Sequence, residues 1–586
     1  MAPISFLIGI LLTGITLSLG IPNELLHDGS ALLGLVCLVP LYRSLLGSKS
    51  WAAAGFAGGL AMGIVHLLSS FWLAYFKEFA IFTLGGSALV NVTFGIVVGW
   101  VLRWTLLRPK WARPFLFAAA WTLWEWFKST GFLAYPWGTL VMTSRSLTPL
   151  IQIADLTGAW GISFLLALIN AVIAETTLLH PSRISAFFRE GNVPSRLGRL
   201  TGARTLAFTA FALSLVLCYG WYRLASLGKP ETTLAVSMIQ HNVDPWNLNQ
   251  ETPVIESERL TREAIAARGT KPDLVVWSES TLPWTWEEYR GYYRRYPGED
   301  PVIPFLAEID TPLVSGAPVL VDPERKGYSN SVIYLSPTGS LIDWYAKIQL
   351  VPFAEYMPFT EYEWVREFFD TLVGFSSGWV PGREFKSFTV RNAEGKEIRF
   401  ATPICFEDAF APVVADLHAT GSDVLVNLTN DSWSETASAE TQHFTVASFR
   451  AIELRTTMIR STNAGYTCVI DPTGRVIADL PLFEAGFLNA DVPIYPRTVT
   501  FYARYRDWFP AALTGFILLA LFYSAGRKAA RTARPGRGET ADQIVRFHWD
   551  EGLEELPGAD ETVPDRGEEV SEFAYDSRIN DPTGTR

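Results

Sequence analysis

Two kinds of patterning divide the chain. Over roughly the first 225 positions long apolar runs dominate, at residues 4–20, 31–46, 52–75, 85–107, 113–128, 158–179 and 205–225. Each comes near the ~20 residues that cross a bilayer at a rise of about 1.5 Å per residue. One further run, 509–525, lies towards the C-terminus. From 232 to 495 the pattern changes to short β-branched or apolar stretches: Leu234–Ile239, Leu274–Trp277, Pro312–Ser315, Ser331–Leu335, Phe400–Ile404 and Val424–Asn427. Pro337-Thr338-Gly339, Pro472-Thr473-Gly474 and Asn392-Ala393-Glu394-Gly395 read as hairpin turns. Phe444, Ala447, Ala451, Leu454 and Met458 recur at helical spacing. The expected architecture is a bundle of about eight membrane helices joined to one α/β domain whose sheet is covered by helices. The boundaries follow: a bundle over 1–225, an extramembrane domain over 226–508, a last span over 509–525 and a tail over 526–586.

Positive charge sets the expected orientation. One set of segments, with the tail, holds sixteen Lys and Arg: Arg43, Lys49, Arg103, Arg108, Lys110, Arg113, Arg183, Arg189, Arg196, Arg199, Arg204, Arg527, Lys528, Arg531, Arg534 and Arg537. The opposite set holds eight: Lys77, Lys128, Arg145, Arg223, Lys229, Arg497, Arg504 and Arg506. Both termini are expected inside and 226–508 outside. The first run has no Lys or Arg before it, which reads as a retained anchor rather than a cleaved leader.

Composition agrees. Of 586 residues 49% are apolar and only 18% charged, which does not suit a wholly solvated surface. Four cysteines exclude a disulfide scaffold, and no Cys/His cluster has the spacing of a metal site. Residues 541–586 contain thirteen Asp/Glu and four Lys/Arg, so most of the net −11 is local to a tail read as disordered. What remains is too nearly neutral for a nucleic-acid partner.

Candidate chemistry sits where strands end. Cys405 follows the run Phe400–Ile404, so its thiol can be both held and reachable. Glu279 closes Leu274–Ser278, and Lys347 follows Trp344-Tyr345-Ala346. Cys37 and Cys218 lie within apolar spans and Cys468 in a strand; all three read as packing residues. Alone, each polar residue is unremarkable, but the ordered set Val276-Trp277-Ser278-Glu279-Ser280, Tyr345-Ala346-Lys347, Leu350-Val351-Pro352-Phe353-Ala354-Glu355 and Pro403-Ile404-Cys405-Phe406-Glu407 is specific. It resembles the Glu-Lys-Cys triad of the nitrilase (carbon–nitrogen hydrolase) superfamily. Joined to the apolar spans and to Asn430-Asp431-Ser432-Trp433, Gln442-His443 and Arg460–Gly465, it resembles the superfamily's membrane branch, the apolipoprotein N-acyltransferases.

That resemblance, covering about residues 1–525, implies an αββα sandwich facing the periplasm of the bacterial cytoplasmic (inner) membrane. It implies a membrane phospholipid as acyl donor and the α-amine of a diacylglyceryl-cysteine apolipoprotein as acceptor, with no cofactor. It further implies Cys405 as nucleophile, Glu279 as general base and Lys347 as oxyanion stabiliser, supported by Glu355 and Glu407. Two positions depart from the family. Phe406 stands where Tyr is frequent, and Ser434-Glu435 stands where Phe-Gly usually follows the tryptophan. Trp246 lies near an aromatic position of the family.

The chemistry sets a further expectation. Reference pKa values of about 8.5 for Cys and 4.3 for Glu leave roughly 6 kcal/mol against proton transfer. A workable base therefore needs a dry site that raises Glu279, against the opposing pull of Lys347. A thioester takes acyl from oxygen and gives it to nitrogen, which suits a two-step transfer. An α-amine, with a pKa of about 7.7–8.0, is partly neutral where a lysine is protonated. Two aromatic segments are expected to contact lipid: Trp284 to Tyr296, with Trp286 and three arginines, and Trp364 to Trp379, with Phe375 in a lid. The alternatives are a tethered amidase that passes the acyl group to water, or a transporter or scaffold with a binding domain. Some eight spans argue against the first, and charges confined to span ends (Arg103, Glu125, Glu175, Arg223) against the second. Nothing in the chain requires more than a monomer.

Overall fold

A computed structural model describes residues 3–76, 80–131, 133–177, 196–246, 249–298, 300–357, 359, 362–373 and 378–532. Phe375, Ser376-Ser377, Lys77, Arg183, Arg189 and the acidic tail after Arg537 lie outside the described residues.

Among the described residues, six helices are long and apolar enough to cross a membrane: Pro3–Gly20, Trp51–Ser69, Ile81–Leu106, Ala159–Thr176, Ala203–Ala225 and Trp508–Gly526. The other two expected spans are shorter. Arg113–Lys128 has 16 residues, and 31–46 is broken into Ala31–Gly34 and Val39–Leu46, the second piece beginning with a proline at its first turn. Small residues let these helices approach closely. Gly58, Gly95 and Gly99 pack backbone to backbone between Trp51–Ser69 and Ser87–Leu106, where any Cβ would collide.

Among the described residues, twelve strands form two six-stranded sheets. The first contains β1 (Thr232–Gln240), β2 (Leu274–Val276), β3 (Leu313–Asp322), β4 (Gly327–Leu335), β5 (Leu341–Ala346) and β12 (Gly486–Ile494), ordered β12-β1-β2-β3-β4-β5. The second contains β6 (Phe388–Arg391), β7 (Glu397–Ala401), β8 (Val424–Thr429), β9 (Thr457–Thr462), β10 (Cys468–Ile470) and β11 (Val476–Asp479), ordered β11-β10-β9-β8-β7-β6. Each has a parallel centre and antiparallel edges: β1-β2-β3 in one sheet and β7-β8-β9 in the other run parallel. The three sequence-predicted turns join β4 to β5, β6 to β7 and β10 to β11.

Side-chain alternation explains the layering. Leu274 and Val276 face the second sheet with Leu234, Val236 and Met238. Val275 and Trp277 point the other way, under helices Thr252–Arg268 and Val302–Ile309. Helices Ala411–Ala419 and Ala437–Leu454 cover the second sheet. The result is an αββα sandwich.

Two sequence-predicted boundaries move. β7 stops at Ala401 because Pro403 has no N–H for the ladder, and Ile404 pairs with Leu428 only as an isolated bridge. The helix through Phe444 ends at Leu454, where Arg455 turns left-handed (φ 52°), so Met458 belongs to β9.

Helix Ala437–Leu454 joins the two halves. Phe444, Ala447, Ala451 and Leu454 pack on the second sheet, while Ala439, Val446, Phe449 and Ile452 share a core with the bundle's Trp72, Trp137, Leu140 and Ile151. Its polar groups find partners across the seam: Gln442 Nε2 donates to Pro22 O and Ser69 O at 2.8 Å, and Ala159 N donates to Glu453 at 3.0 Å. Just beyond, the buried Arg455 donates to Asp155 at 2.9 Å and Gln152 at 2.7 Å. Removing one partner of such a buried pair strands the other. Arg455→Met should therefore cost about 3 kcal/mol and lower the thermal midpoint in detergent by several degrees. An unchanged midpoint by scanning calorimetry would mean that the seam carries no stability.

Candidate active site

Three loops bring Glu279, Lys347 and Cys405 together, and in each chain segment a local feature fixes the side chain. Glu279 follows β2 and is succeeded by Ser280 at φ 58°. Gly316 of β3 lies directly against the Glu279 and Ser280 backbone, where any Cβ would collide. Lys347 follows β5 and its N–H donates to Asn330 O at 2.9 Å. Cys405 opens a short 3₁₀ turn, Cys405–Ala409, with φ 45°. Phe353, two residues before Glu355, has φ 66°. Left-handed backbone at non-glycine residues costs roughly 1–3 kcal/mol each, so the surrounding structure must over-determine these three loops.

Hydrogen bonds do so. Lys347 Nζ lies 2.7 Å from Glu355 Oε1 and 3.2 Å from Glu279 Oε1. Asn330 Nδ2 donates to the same two oxygens, at 2.9 Å and 2.7 Å. Asn430 N donates to Glu279 Oε2 at 2.9 Å, and Val351 N to Glu355 Oε2 at 2.8 Å. Glu407 is fully buried and ties the lysine loop to the cysteine turn. Its Oε1 accepts from Tyr345 OH, Ile348 N and Gln349 N at 2.9, 2.6 and 3.1 Å, and its Oε2 from Ile404 N at 2.8 Å. Burial pushes Glu407 up to about 7 despite these donors.

The electrostatics answer the problem posed by the reference pKa values. Glu279 and Lys347 are 5% and 1% exposed. Burial raises Glu279; Lys347 opposes this, while Glu355 adds to it. The lysine lies 2.7 Å from Glu355 and 3.2 Å from Glu279, so its charge is divided between two carboxylates and its pull on Glu279 does not cancel the effect of burial. Burial, with Glu279 as the next cause, also pushes the Cys405 thiol up, and Lys347 only partly opposes them. Sulfur and carboxylate thus stand poised with the proton on sulfur, and a thiolate forms only as that proton moves.

A second network lies behind the sulfur. Asp431 Oδ1 is 3.8 Å from Cys405 Sγ. His443 bridges Asp431 Oδ2 and Asp408 Oδ1, each at 2.7 Å, and Arg460 pairs with Asp408. Although Cys405, Asp431 and His443 place donor atoms within 4.8 Å of one another, both imidazole nitrogens already face carboxylates and a guanidinium is adjacent. The group fits fixed ion pairs better than a metal ion.

An aromatic floor comes from the bundle. Trp137 stacks on Phe406 at 5.4 Å and an interplanar angle of 10°, and Trp433 packs on Phe76 and Trp72 at 3.9 and 5.6 Å. Trp246 donates to Trp433 O at 3.3 Å, and the Trp379 N–H to Glu355 O at 2.8 Å. Trp286 is buried against Tyr293 on the outer face of the first sheet, whereas Trp284 is partly exposed and stacks on Tyr289. Neither belongs to the cluster that the sandwich shares with the bundle. A mostly apolar cavity of about 530 Å³ opens between residues 129–131 of the bundle and the Ile348-Gln349-Leu350 loop, bounded also by Phe410 and Val413.

Sequence reading passed over Asn330 and Trp137 and gave no role to Asp408, Asp431, His443 or Arg460. A polar Asn inside β4 was the one local signal; the others are linked only through the fold.

A Glu-Lys-Cys cluster at the strand ends of an αββα sandwich defines the carbon–nitrogen hydrolase class, and residues 235–495 match the family model described as carbon-nitrogen hydrolase. Residues 13–172 match the apolipoprotein N-acyltransferase N-terminal domain. Apolipoprotein N-acyltransferase 2 of Treponema denticola is 47% identical over 534 residues, 91% of this chain and 99% of that protein. Its counterpart from Treponema pallidum is 43% identical over 565 residues, 91% of this chain and 97% of that one. Apolipoprotein N-acyltransferase of Borreliella burgdorferi is 31% identical over 513 residues, 86% and 93%. The chain belongs to the apolipoprotein N-acyltransferase family.

Because the resting sulfur is a thiol, Cys405 should react with iodoacetamide at pH 8 at least about tenfold more slowly than free cysteine. Mass-spectrometric rates with Cys37, Cys218 and Cys468 replaced by serine provide the measurement. A rate equal to or above that of free cysteine would show a thiolate at rest.

Proposed function

We propose that this membrane acyltransferase moves a fatty acyl chain from a phospholipid to the α-amine of the N-terminal diacylglyceryl-cysteine of a lipoprotein, through a thioester on Cys405. Family membership supports lipoprotein N-acylation with lipid and lipoprotein substrates. The single observation that carries the mechanism is the dry Glu279–Lys347–Glu355 cluster beside a buried thiol, set where the sandwich meets an apolar bundle.

In the first half-reaction the Cys405 proton passes to Glu279 as sulfur attacks the ester carbonyl. Lys347 stabilises the oxyanion. The C–O bond then breaks, and Glu279 returns the proton to the departing lysophospholipid oxygen. In the second, the amine attacks the thioester, Glu279 removes a proton from nitrogen, and the C–S bond breaks as sulfur is reprotonated. Glu355 holds Lys347, and Glu407 fixes the cysteine turn to the lysine loop. The cavity between residues 129–131 and 348–350 suits the donor chain, being largely apolar and open at the seam with the bundle. An acyl chain filling that apolar space would keep water from the thioester and so limit hydrolysis. Trp246, which donates to Trp433 O, and Trp379, which donates to Glu355 O, are the aromatic residues we assign to lipid contact, with Trp284 and Trp286 in a peripheral part.

The placement that fits this chemistry is the cytoplasmic (inner) membrane, with the bundle over 1–225, the catalytic domain over 226–508 outside, the last span over 509–525 and both termini inside. The excess of Lys and Arg on one set of loops supports it.

Incubation with acyl-labelled phospholipid should leave label on the protein through a hydroxylamine-sensitive bond, and a diacylated lipopeptide should chase it into amide. Cys405→Ser and Glu279→Gln should abolish trapping, and Lys347→Met should slow it by about 10²–10³-fold. Release of label as free fatty acid despite the lipopeptide would identify an amidase, and absence of label a binding protein. The rate of trapping should fall as pH drops through a value above the ordinary carboxylate pKa, because Glu279 must be ionised to act and its folded-state pKa is raised. A profile titrating near 4.3 would contradict a desolvated base.

A further inference from the structure

One carboxylate beside the sulfur has no part in the mechanism above. Asp431 Oδ1 lies 3.8 Å from Cys405 Sγ, and the preceding residue, Asn430, donates its N–H to Glu279 Oε2 at 2.9 Å. The Cys405 side chain also hydrogen-bonds to Glu279, so Glu279 and Asp431 border one sulfur atom. The other oxygen of Asp431, Oδ2, is engaged from behind by His443 Nδ1 at 2.7 Å and the Arg460 guanidinium at 3.7 Å. Asp408 holds both of those cations in turn. A buried carboxylate without partners would cost several kcal/mol or take up a proton. Here burial would raise Asp431, but the imidazolium and guanidinium outweigh it and keep the group ionised. His443 is itself held charged by Asp431 and Asp408 against its burial, with a pKa raised to about 10. Glu440, next to Asp431, is pushed far above the usual carboxylate range by burial and by Asp431, so it stays neutral and the network balances. The net effect is a fixed negative oxygen directed at the nucleophile.

We propose that Asp431 Oδ1 accepts a hydrogen bond from the α-amine of the acceptor in the second half-reaction and orients its lone pair at the thioester carbonyl. This extends the thioester reading above and depends on it. A primary amine brings two N–H groups. As nitrogen bonds to the carbonyl carbon it becomes positively charged, one proton passes to Glu279, and the other N–H stays on Asp431, whose fixed charge stabilises the developing cation. The C–S bond then breaks with its electron pair on sulfur, and Glu279 gives the proton to the thiolate. Water gains less from Asp431, because Glu279 removes its proton as the new bond forms and less positive charge develops. Asp431 thus favours aminolysis over hydrolysis at one thioester.

The test separates the half-reactions in the full chain reconstituted in phospholipid nanodiscs. The protein is loaded from acyl-labelled phospholipid, the excess is removed, and a diacylated lipopeptide is added. Asp431→Asn should load, and hydrolyse its thioester without acceptor, within about threefold of the parent, while chase into amide falls by about 10²-fold or more. Asp431→Glu should recover part of that loss. An N-methylated acceptor, which has no N–H left for Asp431 once Glu279 has taken one, should be chased at least about tenfold more slowly by the unmodified protein. This arm keeps the test open if the variants do not fold. A normal chase by Asp431→Asn, loading slowed as much as chase, or equal rates with the N-methylated acceptor would each overturn the role of Asp431. Failure of the unmodified protein to retain any hydroxylamine-sensitive label would overturn the thioester reading, and this proposal with it.

Discussion

A single buried ammonium group shared between a buried and a half-buried carboxylate sets the terms for the rest of the site. Lys347 cannot be desolvated alone, and the two carboxylates cannot both be ionised there without it. Burial keeps the proton affinity of Glu279 high although Lys347, shared with Glu355, opposes it. The three left-handed residues, the Asn330 bridge and the carboxylate of Glu407 serve to maintain this spacing. Burial of charge is costly in stability, and here it provides the basicity that a carboxylate in water lacks.

The bundle is part of the same device rather than a tether. Helix Ala437–Leu454 is buried on every side, one face on a sheet and another on membrane helices. It carries His443, and through it the charge behind the sulfur. Trp137, from a loop of the bundle, stacks on Phe406, the residue after the nucleophile. The loop is held from within: Lys128 Nζ donates to Trp137 O at 2.7 Å, and Leu140 N to Glu125 at 2.6 Å. At this first departure from the family, Phe406 makes an apolar, stacked contact with the bundle. The second departure also has a structural reading. Glu435 takes a left-handed φ of 49°, a backbone that glycine adopts readily, and it is exposed.

Apolar runs, turn residues and the order of four short motifs made the membrane helices, the sandwich and the Glu279, Lys347 and Cys405 set legible in the chain, because each depends on local periodicity or on a short contiguous pattern. The short span 31–46 was legible only as apolar, since its break depends on Leu38 N–H bonding Asn170 in another helix. The extent of the helix through Phe444 was misjudged because strand and helix positions happened to share one spacing at Met458. The charged network of Asp408, Asp431, Glu440, His443 and Arg460 was not legible as a set. It comes from four segments spread over 52 residues, and no local pattern marks which of them meet.

The sequence alone determined which surfaces must leave water, which side carries positive charge, and which three side chains have the chemistry for acyl transfer. Tertiary structure decided how basic the carboxylate is, which oxygen faces the sulfur, and how the bundle supports the nucleophile. The reason is physical: burial of an apolar run follows from its own composition, whereas a proton affinity is set by every charge and dipole that folding brings within a few ångströms.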